Sequence, residues 1–309
     1  KTNALPLTKE LTNLAGNSWG NSLFCKRAQR VEYLLIHHFV PLTQYIIPEK
    51  PAFRAEEKRK RKQYKGGLVL EPKRGFYPSH VLLVDFKSLY PSIILEYGVC
   101  FTNPTLDVRR DFVLPKVIDA LVKKRRAVVT EMRRLKETET VQRMQLNTEQ
   151  LSIKVNDNSI SGCLGYSGSR FFLQPIAEYI TAKGRTIRED TCAVIRERGI
   201  EIISCDTDGL MVLPTHNELQ EVYRGGEERC AEINKKYTRL EIEIDGVLKN
   251  LLLIRKKRSV ALSVAEDGST ARELKGLDVV SREWCPHSVR VGYHVIDLIL
   301  TNPTHAAFE

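Results

Sequence analysis

The sequence predicts an α+β fold, in which helices pack on a sheet of antiparallel strands. The first observation is a pair of strand-type apolar runs joined by a short polar link, EIISCDTDGLMVL (201–213), which is typical of a β-hairpin. The second is the stretch from Pro115 to Leu135, whose apolar residues recur at helical spacing. Another helical stretch follows over 140–161, so we expect two antiparallel helices rich in Lys and Arg to project from the body.

Length and composition are those of a soluble globular protein. The chain has 309 residues, enough for two or three subdomains, and is 42% hydrophobic and 28% charged. It contains no run of eighteen apolar residues, so neither a membrane-spanning helix nor a membrane partner is predicted. It begins at Lys1 without an initiator Met or a signal-peptide pattern, and we expect it to be a fragment of a longer protein.

Cysteine content and net charge indicate the cellular compartment and the kind of partner to expect. The seven cysteines are scattered and form no C-x-x-C pair, which argues against a disulfide framework or a zinc module and predicts a reduced intracellular compartment. The net charge is +10, which favours a polyanionic partner such as nucleic acid.

The remaining elements mix helical and strand patterns. Residues 1–40 are predicted to be mostly helical, and the charged segment 54–65 to be a solvated loop, with contact to DNA as the alternative. A strand ending at Asp85 is followed by a helix that Ser88 is placed to cap. Later predicted elements are a helix ending at Gly199, a helix near 217–237, strands with a hairpin signal at Asp245-Gly246, and a helix over 289–300.

Three aspartates stand at predicted strand ends. Asp85 follows an apolar strand, and Asp206 and Asp208 lie two apart in the 201–213 hairpin, so that pair is expected to point the same way. Three carboxylates with no His or Cys make a hard-oxygen site, suited to Mg²⁺ or Mn²⁺ rather than zinc. The alternative is structural, with an acidic solvated turn at 206–208 and a helix-capping acid at Asp85.

Groups that bind anions accompany these acids. The helix that begins near Ser88 has N–H groups in its first turn that favour an anion. Arg125, Lys154 and Asn158 add hydrogen-bond donors, and the spacing of Lys154 and Asn158 places both on one helix face. Carboxylates that can bind two metal ions, together with donors that can bind a triphosphate, are the groups that nucleotidyl transfer requires. A lysine on a basic helix is also typical of plain exposed surface.

Three segments resemble the motifs of the B-family DNA polymerases. DFKSLYPSII (85–94) resembles motif A, KVNDNSISG (154–162) resembles motif B, and CDTDG (205–209) resembles motif C, in the order that the family has. The likeness covers nearly the whole chain. The further segments that resemble the polymerase alpha branch of the family are LTNLAGN, YKGGLVLEPKRGFY, GCLGYSGSRFF, LEIEIDGVLKNLLLIRKK and ELKGLDVVSREWC.

The resemblance implies a role for each candidate residue. Asp85 and Asp208 would hold two Mg²⁺ ions, or Mn²⁺ in their place, with the backbone carbonyl of Phe86. Asp206 would be a supporting acid, and the ring of Tyr90 would exclude a ribose 2′-OH. The residues implied to bind the triphosphate of the incoming dNTP are Ser88, Leu89, Arg125, Lys154 and Asn158. Those implied to bind primer–template DNA are Lys256, Lys257, Lys275 and Arg282.

The resemblance also implies an architecture and partners. Residues 1–113 would be the first part of a palm, 114–161 a two-helix fingers subdomain that interrupts it, 162–288 the rest of the palm, and 289–309 the start of a thumb. The implied activity is template-directed DNA synthesis from dNTPs on a DNA or RNA primer, in the nucleus. A primase and an accessory B subunit would be partners of the parent protein through regions outside this chain.

Several positions depart from the family pattern. They share the loss of a contact to the nucleotide or the duplex, and they are Val129, Ser161, Ser204, Cys205, Gly209, Ser259 and Ser281. All three aspartates remain. Two interpretations stay open: a divergent working polymerase with altered contacts, or a degenerate polymerase-like chain with a structural or DNA-binding role. A metal nuclease that uses the same acids is a third, and it fits the sequence less well.

Overall fold

The computed structural model describes residues 4–24, 27–41, 46–49, 66–67, 70–101, 112–135, 139–206, 209–277, 279 and 284–301. They form two compact units: Lys1–Gly66 with Ser88–Gly184, and Gly67–Lys87 with Arg185–Glu309. The candidate residues Asp208 and Arg282, the departure at Ser281 and the predicted loop 54–65 lie outside the described residues.

The first unit is helical in the part of the chain that is described. Its helices are α1 (Ala4–Ala15), α2 (Trp19–Phe24), α3 (Arg27–Phe39), α4 (Leu89–Glu96), α5 (Val113–Arg134), α6 (Thr140–Leu164) and the first half of α7 (Gln174–Glu197). The helices predicted over 1–40, 115–135 and 140–161 are therefore present. Pro115 lies in the first turn of α5, where a missing N–H is tolerated.

Helices α5 and α6 run in opposite directions against each other. Lys124 of α5 forms an ion pair with Glu149 of α6 at 3.1 Å. Farther along, the guanidinium of Arg143 donates to the carbonyl of Leu135, which ends α5, at 3.5 Å. Because residue numbers rise on one helix as they fall on the other, the two helices are antiparallel.

The core of the first unit forms where the apolar faces of these helices meet. Its largest fully buried side chains are Leu35, Phe39, Ile93, Ile94, Leu114, Ile118, Ile153, Ile160, Leu164 and Ile180. The rings of Phe39 and Phe171 both pack against Phe101, with centroids 4.9 and 5.1 Å from it. Among the described helices of the whole chain, none combines the length and the apolar character that crossing a bilayer requires.

The second unit is an antiparallel sheet with helices. Its described strands are β1 (Gly75–Tyr77), β2 (Val81–Phe86), β3 (Glu201–Cys205), β4 (Gly209–Leu213), β5 (Ile242–Arg255), β6 (Arg258–Val264) and β7 (Thr270–Lys275). Their order is β3-β4-β2-β5-β6-β7, with β1 paired to β5, and these pairings are antiparallel. Its helices are the second half of α7, α8 (Leu219–Asn234) and α9 (Pro286–Thr301). The predicted α+β class is confirmed.

The hairpin predicted at Asp245-Gly246 is wrong. Strand β5 continues through both residues, and its register with β2 shifts between Leu83 and Val84. Asp245 is the extra residue of this irregularity, which is a β-bulge. Pairing with β2 has therefore overridden the local turn preference of the Asp-Gly pair.

Candidate functional site

Asp85 is held near the end of β2, inside the sheet of the second unit. It pairs in register with Gly209 of β4 and with Glu243 of β5. A Cβ placed on Gly209 would lie 3.5 Å from Oδ1 of Asp85, an ordinary van der Waals distance. The Cβ of the serine that motif C usually has at this position would therefore not clash with the Asp85 carboxylate. Phe86, the next residue, is buried opposite Ile242 of β5.

Asp206 lies in the link between β3 and β4. The N–H of Asp206 donates to the carbonyl of Gly209 at 2.9 Å, which closes the start of the turn. The hairpin predicted from EIISCDTDGLMVL is confirmed, because β3 pairs with β4 from Glu201 opposite Leu213 onward.

One cavity of the second unit, of about 480 Å³, brings candidate residues together. Asp85 and Asp206 both line it. The predicted DNA-binding residues on its walls are Lys256, Lys257 and Lys275. The positions on its walls that differ from the family pattern are Ser204, Cys205, Gly209 and Ser259. Carboxylates and ammonium groups from distant parts of the chain thus meet around one opening.

The three lysines of this cavity differ in their ion pairs. Lys256 pairs with Glu71 at 2.7 Å, and Lys275 pairs with Glu273 at 2.6 Å. Lys257 forms the two-residue link between β5 and β6 with Lys256, and it is exposed with a φ of 59°. Within the residues that the structure describes, no acidic partner pairs with Lys257. Its charge is therefore the one most available to a polyanion.

Asp245 is a further acid on the cavity wall that the sequence analysis did not select. The bulge in β5 carries it there. Its only sequence signal was the Asp-Gly pair, which indicated a turn instead of a site.

Arg188 of α7 is a second residue that the sequence analysis missed. It is 1% exposed, and its guanidinium donates to the backbone carbonyl of Asp206 and lies 2.6 Å from the sulfur of Cys205. An arginine on a charged helix is usually surface, so nothing in the pattern indicated this burial. Arg188 fixes the two residues that lead into the acidic turn.

Cys205 stands where motif C usually has glycine, and its thiol is polarised. A hydrogen bond from Cys192 lowers the pKa of Cys205; burial opposes this shift, and the charge of Arg188 supports it. The same hydrogen bond and burial raise the pKa of Cys192, which therefore keeps its proton. The Cys205 sulfur thus lies between the Cys192 thiol and the Arg188 guanidinium.

The donors of this cavity fit a hard divalent cation. Asp85, Asp206 and Asp245 offer carboxylate oxygens, which Mg²⁺ and Mn²⁺ prefer, whereas the sulfur of Cys205 is engaged by Arg188. Among the described residues, no three His, Cys, Asp or Glu side chains are close enough to form a metal-binding group. Asp208, the other implied ligand, is not one of those residues.

In the first unit, Ser88 precedes α4 in a left-handed conformation, with φ 52° and ψ 61°. The predicted side-chain cap is wrong, because the Ser88 hydroxyl makes no capping hydrogen bond. It accepts a hydrogen bond from Nη1 of Arg125 at 3.4 Å and donates to the carboxylate of Asp157. A non-glycine residue with positive φ is strained and is typical of functional sites.

The other candidates for the triphosphate are placed differently. Lys154 and Asn158 are exposed on α6, whereas Leu89 is 2% exposed. No hydrogen bond or ion pair in the described part of the chain joins Lys154 or Asn158 to Ser88 or Arg125. Of the five, Arg125 is hydrogen-bonded to Ser88, and Leu89 is the next residue in the chain.

Tyr90, the implied sugar gate, lies in the first turn of α4 and packs against Gly184 of α7. A Cβ placed on Gly184 would lie 3.3 Å from the Tyr90 ring, so the absence of a side chain there lets the ring lie close to α7. The position of this ring therefore depends on a glycine far away in the sequence.

Asp157 is the third residue that the sequence analysis missed. It is 1% exposed on α6, and its Oδ1 has no hydrogen-bond partner in the part of the chain that the structure describes. Burial raises the pKa of Asp157 to about 7, although the hydrogen bond from Ser88 and the charge of Arg125 lower it. Its only sequence signal was its position between Lys154 and Asn158 in KVNDNSISG.

Comparison with known proteins agrees with the motifs. The family model for DNA polymerase family B matches residues 17–111 and 106–307. The DNA polymerase alpha catalytic subunit of Xenopus laevis is 39% identical over 97% of this chain. That of Mus musculus is 37% identical over 97%, and that of Oryza sativa subsp. japonica is 39% identical over 96%. The chain spans 23%, 23% and 22% of the length of these relatives. It belongs to DNA polymerase family B.

Proposed function

We propose that this chain is the catalytic segment of a template-directed DNA polymerase of the alpha type, which adds dNTPs to a primer 3′-OH. The observation that carries the proposal is the cavity where Asp85 and Asp206 lie beside Lys256, Lys257 and Lys275. Carboxylates that can hold divalent cations, next to ammonium groups that can hold phosphates, suit a reaction between a nucleic-acid primer and a nucleoside triphosphate.

In this proposal Asp85 and Asp208, with the carbonyl of Phe86, hold two Mg²⁺ ions, for which Mn²⁺ can substitute. The chemistry that the ions supply when bound is activation of the primer 3′-OH and stabilisation of charge on the leaving pyrophosphate. Asp206 supports the ligands, and Arg188 keeps Asp206 in position through its backbone carbonyl.

The groups of the first unit bind the incoming nucleotide. Arg125 and the backbone N–H groups of Ser88 and Leu89 hold the triphosphate, and Lys154 and Asn158 add donors from the exposed face of α6. Tyr90 excludes the ribose 2′-OH. The motif resemblance supports these assignments, and the hydrogen bond from Arg125 to Ser88 supports the pairing of those two residues.

Lys256, Lys257, Lys275 and Arg282 contact the primer–template backbone, mainly by charge. Residues 114–161 act as fingers, the palm comprises 1–113 and 162–288, and 289–309 begin a thumb. On the motif resemblance, we assign the parent protein to the nucleus, with a primase and an accessory B subunit as its partners.

The experiment that tests the proposal is single-nucleotide addition by the full-length protein on an RNA-primed DNA template. Four templates differ only in the first unpaired base, and each of the four dNTPs is offered with Mg²⁺, with Mn²⁺ or with a chelator. We expect addition of the complementary nucleotide that requires a metal ion. A folded protein that binds the primer–template but adds no nucleotide would instead support the non-catalytic, DNA-binding alternative.

A further inference from the structure

Three side chains of the first unit form a chain of polar contacts at the start of α4. Nη1 of Arg125 donates to the Ser88 hydroxyl at 3.4 Å, and this hydroxyl donates to the carboxylate of Asp157. Arg125 and Ser88 are both residues that we assign to the triphosphate of the incoming nucleotide. Asp157 therefore contacts the side chain of one of these two residues, and its charge acts on the other.

Asp157 is poorly compensated for a buried carboxylate. It is 1% exposed, and its Oδ1 meets no hydrogen-bond donor among the described residues. The neighbouring Asn156 is equally buried, and neither its amide nitrogen nor its amide oxygen finds a partner there. Buried polar groups normally have partners, so an unpartnered carboxylate oxygen favours the protonated form of Asp157.

We propose that Asp157 is a resident anion of the triphosphate site, which holds Ser88 and Arg125 when ionised and leaves them to a deoxynucleoside triphosphate when protonated. The inference rests on the proposed function, because it assumes that Ser88 and Arg125 bind the triphosphate. It makes Asp157 a residue that controls nucleotide affinity through Ser88 and Arg125.

Electrostatic repulsion supports the replacement of the Asp157 carboxylate by the triphosphate at Ser88 and Arg125. The triphosphate is strongly negative, and a carboxylate near it is repelled, so both anions cannot occupy the site in charged form. Burial raises the pKa of Asp157 to about 7, so both states are populated near neutral pH. Helices α1, α3, α4 and α5 pack against α6, and of their described charged groups it is Arg125 of α5 that acts on this carboxyl.

The consequence is that nucleotide binding takes up a proton. Apparent affinity falls in proportion to the protonated fraction of Asp157, so each pH unit above its pKa weakens binding about tenfold. An amide at this position cannot ionise, and it removes the dependence.

The experiment measures equilibrium binding of a fluorescent deoxynucleoside triphosphate with Mg²⁺ to the full-length protein on a primer–template. The primer ends in a dideoxynucleotide, so no addition follows. Dissociation constants are compared from pH 6 to 8.5 for the wild type, Asp157→Asn, Asp157→Ala and Glu131→Gln. Glu131 is exposed on α5 and provides the same loss of charge without the buried contact. Circular dichroism establishes that each variant is folded.

We expect the ratio of the wild-type to the Asp157→Asn dissociation constant to lie near one at pH 6 and to rise to about thirtyfold at pH 8.5. Asp157→Ala should follow Asp157→Asn, and Glu131→Gln should follow the wild type. A ratio that stays constant with pH, or weaker binding by Asp157→Asn at high pH, overturns the inference while the proposed function stands. The pH profile of the wild type alone decides the matter if both variants fail to fold. No binding by any folded form overturns the proposed function together with this inference.

Discussion

Nη2 of Arg188 lies 2.6 Å from the sulfur of Cys205, and the same guanidinium donates to the carbonyl of Asp206. The arginine and the cysteine are both buried, at 1% and 0% exposure. The position that departs from the usual motif C glycine is therefore occupied by a side chain with a dedicated partner on α7. Cys205, which differs from the usual glycine, thus takes part in the contacts that hold the turn at Asp206.

Replacing Arg188 tests this arrangement. Arg188→Met removes the donor to Asp206 and Cys205, and we expect it to lower the free energy of unfolding by about 1–3 kcal/mol, because buried acceptors lose their partner. Arg196→Met, at an exposed position of the same helix, should change it little. Urea denaturation followed by circular dichroism measures both. Equal stability of the two variants would show that the Arg188 contacts contribute nothing net.

Sugar discrimination is expected to depend on Tyr90. Tyr90→Ala opens the space of the ring, and the ratio of dNTP to rNTP incorporation should fall roughly tenfold to hundredfold. Tyr97→Ala is the matched control, because Tyr97 caps the other end of α4. Primer extension by the full-length protein with each nucleotide class gives the ratio, and an unchanged ratio in Tyr90→Ala would rule out a gate at this ring.

Stability should depend on pH through Asp157. Its pKa is raised from 3.8 to about 7, so its protonated form favours folding below pH 4, and this contribution is lost as the pH rises through 7. Relative to Asp157→Asn, the wild type should lose roughly 3–4 kcal/mol between pH 4 and pH 8. Thermal or urea unfolding of both proteins across this range provides the difference. A difference that does not change with pH would mean that the carboxyl is solvated in the folded state.

The binding of duplex is expected to weaken when Lys257 is removed. Lys257→Ala should lower primer–template affinity for every sequence and reduce the slope of log affinity against log salt by about one, as for one lost phosphate contact. Lys249→Ala is the control, since Lys249 is exposed on β5 but does not line the cavity. Fluorescence anisotropy at several salt concentrations measures the slope. Identical slopes for the two variants would place the duplex elsewhere.

The spacing of apolar residues along the sequence correctly predicted several strands and helices. The apolar run before Asp85 and the two runs around Asp206 became β2, β3 and β4, because alternating or continuous apolar residues specify burial directly. The helical spacing after Pro115 likewise became α5. At Asp245 the prediction of a turn was wrong, because pairing of β5 with β2 outweighs the turn preference of the Asp-Gly pair.

The missed residues of the site share a physical cause. Arg188 and Asp157 are charged residues on helices, which the pattern assigns to the surface. Their surroundings come from residues distant in sequence: Arg188 meets Cys205 and Asp206, and Asp157 meets Ser88 and Arg125, which offset its burial only in part. Such contacts are visible only once the chain has folded.

The central claim is that the cavity of Asp85 and Asp206 is the site of nucleotidyl transfer. Single-turnover nucleotide addition by full-length Asp85→Asn, beside Asp267→Asn as an exposed control on the same unit, tests it most directly. We predict that Asp85→Asn binds primer–template like the wild type but loses at least about a thousandfold in rate, whereas Asp267→Asn keeps the wild-type rate. Addition by Asp85→Asn at the wild-type rate would contradict the claim.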